Sequence, residues 1–64
     1  MEALTRRELE VLSLIAEGNT TGSIASKLSI QINTVKTHRK NMLKKTGCKN
    51  ITELIYKATK EGII

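Results

Sequence analysis

The sequence has one cysteine, no proline, no phenylalanine or tryptophan, and a single tyrosine among 64 residues. A lone thiol, Cys48, excludes an internal disulfide, and Cys48 with His38 is too small a set for a structural zinc site. Neither metal nor cofactor is expected. No apolar run approaches the roughly 20 residues of a membrane span. Met1-Glu2-Ala3 has neither the basic lead nor the apolar stretch of a signal peptide, so a reducing, cytoplasmic setting is expected. A chain this short forms one domain, 1–64, and shields only about 60% of its unfolded surface. Its thin core must come from helix packing, helped by a second subunit or a further domain.

Acid is missing from more than half the chain. Glu2, Glu8, Glu10, Glu17, Glu53 and Glu61 are the six acids, and none falls between Gly18 and Thr52. That stretch carries Lys27, Lys36, Arg39, Lys40, Lys44, Lys45 and Lys49, against a net charge of +5. A one-sign block suits a polyanionic partner, although a solvated basic face accounts for the composition equally well.

Punctuation and period predict an all-α four-helix bundle over 6–17, 21–28, 32–46 and 51–61, with no sheet, since no alternating apolar pattern appears. Thr5 and Glu8 read as a capping box for the first helix, with Leu4 and Leu9 as its hydrophobic staple. Leu9, Leu12, Ile15 and Ala16 share one face, with Val11 beside it, and Gly18 ends the helix. Thr20 caps the second helix, whose Ile24, Ala25 and Leu28 point inward; Gly22 weakens it. In the third, Met42 and Thr46 fall within about 20° of Val35, and His38 and Arg39 flank that seam. Asn33, Thr37, Lys40 and Lys44 occupy the opposite side, edged by Lys36 and Asn41. Asn50 and Glu53 read as a second capping box. Ile51, Leu54, Ile55 and Ala58 then line the core face of the fourth helix. Gly62 closes it, and Ile63 and Ile64 fold back onto the core.

Residues 21–39 have helix-turn-helix spacing: Ala25 permits close approach, Leu28-Ser29-Ile30 makes the turn, and Ile30 plugs it. Two helices held so let the second offer its outer face to a major groove about 12 Å wide.

Over residues 4–64 the chain resembles the C-terminal DNA-binding domain of the LuxR/NarL/FixJ (GerE-like) bacterial transcription regulators. The likeness rests on Leu4-Thr5-Arg6-Arg7-Glu8, Val11-Leu12, Ala16-Glu17-Gly18, Ile24-Ala25, Thr34-Val35-Lys36-Thr37-His38, Asn41-Met42, Lys45-Thr46-Gly47 and Gly62-Ile63-Ile64. It implies a third helix in the major groove of double-stranded DNA, a fourth able to form a two-fold dimer, and an N-terminal signal-sensing domain that this chain lacks. It implies base contacts at Lys36, Thr37 and Lys40, to which their shared face adds Asn33. Lys44, Lys45, Lys49, Arg39 and Thr34 are expected on phosphates. A stripe of Thr52, Tyr56 and Thr59 is expected to hold a weak dimer, favoured on DNA. The chain departs from the family at Thr20-Thr21-Gly22-Ser23, at Gln31 (a poorer cap than the usual Ser), and at Ile51 and Leu54.

His38 reads as a structural histidine and Cys48 as packing. Sequence-specific DNA binding in the bacterial nucleoid is the leading function. A helix-turn-helix reused for protein contact is the alternative. Enzymatic activity is rejected for want of paired acids, a metal cluster or an activated nucleophile.

Overall fold

The computed structural model describes residues 3–64: α1 (Arg6–Ala16), α2 (Thr21–Leu28), α3 (Ile32–Thr46) and α4 (Ile51–Lys60), with no strand among them. The first and last helices each stop one residue short of the sequence expectation, because Glu17 and Glu61 serve as C-caps.

Each helix gives two residues to one buried cluster. These are Val11 and Leu12 from α1, Ile24 and Ala25 from α2, Val35 and Met42 from α3, and Leu54 and Ala58 from α4, joined by Cys48 from the turn between α3 and α4. Leu14, Ile15, Leu28, Ile30, Leu43, Ile51, Ile55 and Ile64 form a half-buried rim around it.

The buried face of α1 is rotated by one residue from the expected one. Ala16 is exposed and Leu9 only half-buried, whereas Val11 is fully enclosed. The inward positions are Glu8, Val11, Leu12 and Ile15, spaced i, i+3, i+4, i+7. A glutamate therefore holds a core position, 3% exposed. It can do so because one carboxylate oxygen, Oε1, takes two donors, the Thr5 N–H and the Lys45 ammonium.

The cap at Thr5 is complete. Its Oγ1 accepts from the Glu8 N–H at 3.1 Å, and its own N–H donates to Glu8 Oε1 at 2.8 Å. The expected second box is only half formed. Asn50 Oδ1 accepts from the Glu53 N–H at 2.9 Å, but Glu53 Oε1 takes the N–H of Lys49, at 3.2 Å, instead of that of Asn50. Asn50 is fully extended (φ −155°), where Thr5 sits at φ −69°, so the N–H within reach of the carboxylate is one residue earlier.

Two ties fix the frame that carries α3. Asn19 Nδ2 donates to the Leu14 carbonyl (2.9 Å), while its Oδ1 accepts from Ser23 Oγ (3.2 Å) and Lys27 Nζ (2.8 Å). This knots the turn between α1 and α2. The turn between α2 and α3 is closed by Ile30 N–H donating to the Ala25 carbonyl at 2.9 Å, with Ser29 left-handed at φ 56°. Gly47, at φ 70°, ends α3 by giving its N–H to the Leu43 carbonyl. At the C-terminus Ile64 joins the core rim, but Ile63 stays outside it, 39% exposed.

Candidate nucleic-acid interface

The core seam of α3, Val35 and Met42, fixes which side of the helix faces out. Asn33, Thr34, Lys36, Thr37, Lys40, Asn41 and Lys44 are all exposed. Thr37 Oγ1 donates to the Asn33 carbonyl at 3.0 Å, so its hydroxyl proton is used within the helix. Gln31 makes no side-chain cap, as its chemistry predicts, and α3 begins uncapped.

Arg39 and His38 flank the seam, both half-buried. Arg39 Nη1 reaches Thr21 Oγ1 at 3.5 Å, bridging α3 to the start of α2. His38 lines an open cleft with Thr5, Glu8, Asn41, Lys44 and Lys45.

Charge is distributed unevenly. Among the described residues the ion pairs are Arg6–Glu10, Arg7–Glu10, Lys57–Glu53 and Lys45–Glu8. Lys36, Arg39, Lys40, Lys44 and Lys49 take part in none of them. The cations of α1 and α4 are thus partly neutralised in place, while those on the outer side of α3 keep their full field.

Lys45 differs from its neighbours. It is expected on phosphate, but its ammonium lies 2.7 Å from Glu8 Oε1 and its side chain is half-buried. Burial pushes the Glu8 carboxyl up, yet the hydrogen bonds from Lys45 and Thr5 outweigh it and hold the group below its ordinary value. Glu8 is a functional candidate that residue types alone place in the cap of α1, whereas the structure places it in the core as well. Its signal was the i, i+3, i+4, i+7 series, which counts Glu8 as one of its members.

On α4, Thr52, Tyr56 and Thr59 are exposed, Tyr56 by 65%. Lys60 Nζ stands 5.9 Å from the centre of that ring, close enough for a cation–π contact.

A short α2, a three-residue turn that opens on left-handed Ser29, and an α3 whose outer side is cationic make this a helix-turn-helix domain. Residues 2–58 match the family described as bacterial regulatory proteins, luxR family. The chain belongs to that family, which consists of DNA-binding regulators of transcription. It is 44% identical over 63 residues to the transcriptional regulatory protein LiaR of Bacillus subtilis, covering 98% of this chain and 30% of LiaR. It is 45% identical over 60 residues to the response regulatory protein YgeK of Escherichia coli, covering 94% of this chain and 41% of YgeK. The oxygen regulatory protein NreC of Staphylococcus aureus is 39% identical over 61 residues, covering 95% of this chain and 28% of NreC. The chain therefore spans well under half the length of these relatives. Among the described residues no helix is long and apolar enough to cross a membrane.

Proposed function

We propose that the domain binds double-stranded DNA sequence-specifically, as the effector part of a cytoplasmic bacterial transcription regulator. α3 enters the major groove. Lys36, Thr37, Lys40 and Asn33 meet base edges, while Lys44, Lys49, Arg39 and Thr34 meet phosphates. One observation carries this reading: the outer side of α3 is exposed, cationic and, among the described residues, free of ion pairs, directly opposite a buried seam. Lysine can donate to guanine O6 and N7, and a threonine methyl can meet that of thymine. The names of LiaR, YgeK and NreC suggest that a signal-sensing domain in a longer polypeptide governs the DNA-binding part.

Salt titration tests the proposal. Each neutralised phosphate contributes about −0.9 to the log–log slope of affinity against salt, so two copies on one duplex should give a slope steeper than about −3. Binding that is flat between low and moderate salt would instead favour a protein partner.

A further inference from the structure

Glu8 and Lys45 form the one ion pair, among the described residues, that joins two helices; the other three lie within α1 or within α4. Oε1 of Glu8 takes both the Thr5 N–H, at 2.8 Å, and the Lys45 ammonium, at 2.7 Å. The carboxylate is 5% exposed and the lysine side chain 26%. An apolar pair would fill the same space with no charge to desolvate, so such a pair adds little net stability; what it supplies is a fixed geometry. Lys44, the preceding residue, is exposed and in no ion pair among the described residues. Two adjacent lysines in the last turn of α3 thus have opposite fates, one turned to the surface and one held inward.

We infer that Glu8 is a positioning residue for sequence reading: through Lys45 it fixes the C-terminal half of α3 against the start of α1, and it withholds the Lys45 charge from the DNA backbone. The inference rests on the DNA-reading role of α3 proposed above. Lys45 then contributes to discrimination between sequences while releasing no counterion, and Lys49 does the reverse.

The test uses two duplexes: one selected by the wild-type domain from a randomised library, and one of equal length and random sequence. Each is titrated across salt with wild type, Glu8→Gln, Lys45→Met, Lys45→Arg and Lys49→Ala. Gln keeps an acceptor for the Thr5 N–H, and melting curves identify a temperature at which every variant is folded. Lys49→Ala should make the slope shallower by about 0.9 for each bound copy, and Lys45→Met should leave it unchanged. Glu8→Gln and Lys45→Met should each weaken the selected duplex by roughly tenfold and the random one far less. A double variant, Glu8→Gln with Lys45→Met, titrated alongside, should do no worse than either single, and Lys45→Arg should restore discrimination. A shallower slope for Lys45→Met would overturn the inference by putting that lysine on phosphate. Parallel loss on both duplexes would overturn it by reducing the pair to fold support. If wild type binds neither duplex, the DNA reading itself falls. If wild type discriminates and Glu8→Gln discriminates equally well, the inference alone falls.

Discussion

The hydroxyl of Thr37 donates to the carbonyl of Asn33, one turn earlier on α3, at 3.0 Å. With its proton used there, Thr37 has its γ-methyl and the acceptor side of its oxygen to offer a base, and the methyl is the group that reads thymine. Replacing the hydroxyl by a methyl should therefore matter less than deleting the existing methyl. Thr37→Val is expected to keep specific affinity within about twofold, and Thr37→Ser to lose about 1 kcal/mol or more at one thymine-containing position. Fluorescence titration of the selected duplex, with uracil replacing each thymine in turn, checks both.

Lys40 and Lys49 separate base reading from phosphate contact. Both are exposed, but Lys40 stands mid-way along α3 and Lys49 lies beyond its end. Lys40→Ala should weaken specific binding by about 1–3 kcal/mol and random-sequence binding much less. Lys49→Ala should weaken both about equally. Equal losses from the two variants would assign Lys40 to phosphate as well.

Acid should unfold the domain partly through Glu8. Its folded-state value lies below the ordinary 4.5. Its contribution to stability is thus complete above that ordinary value and is lost as pH falls through the lower, folded one. Urea midpoints measured from pH 6 down to pH 2 should fall more steeply for wild type than for Glu8→Gln, which has no proton to gain. Identical curves would show that Glu8 titrates alike in the folded and unfolded chains.

Ser29 carries a side chain where the backbone is left-handed, at φ 56° and ψ 44°. Left-handed backbone costs a residue with a Cβ roughly 1 kcal/mol, and glycine escapes most of that. Ser29→Gly should raise stability by about 0.5 kcal/mol, and a β-branched Ser29→Val should lower it by more than that. Thermal unfolding of the two variants gives the sign directly.

The α4 stripe is a small patch with one aromatic anchor. It should bury far less than the roughly 1,200 Å² of a stable interface, so the free domain should sediment largely as a monomer. Two half-sites about one helical turn apart raise the effective concentration of a second copy. Tyr56→Ala should reduce cooperativity on a two-site duplex and leave single-site affinity nearly unchanged. A tight free dimer, or intact cooperativity in the variant, would move the interface elsewhere.

Four helices and their order were legible because each begins at a residue that can cap it or ends at a glycine, and because Val35 and Met42 fix the period of α3. The outer side of α3 was legible for the same reason, since finding the seam locates its opposite. What escaped the reading turned on interactions between distant residues. Glu8 stands in the inward series of α1, but a carboxylate is tolerated there only with partners, and one of them, Lys45, lies 37 residues away. The inward turn of Lys45 escaped with it, because a lysine's fate depends on whether an acid stands across the fold. The half-formed box at Asn50 depends on a backbone angle that residue types alone do not specify. Ser29 gave no glycine signal because serine took the left-handed position itself.

The oxygen shared by Thr5 and Lys45 makes the start of α1 and the end of α3 a single mechanical joint. Losing that one carboxylate would release the Thr5 N–H, held at 2.8 Å, and the Lys45 ammonium, held at 2.7 Å, together, so a single side chain serves both the entry of one helix and the exit of another.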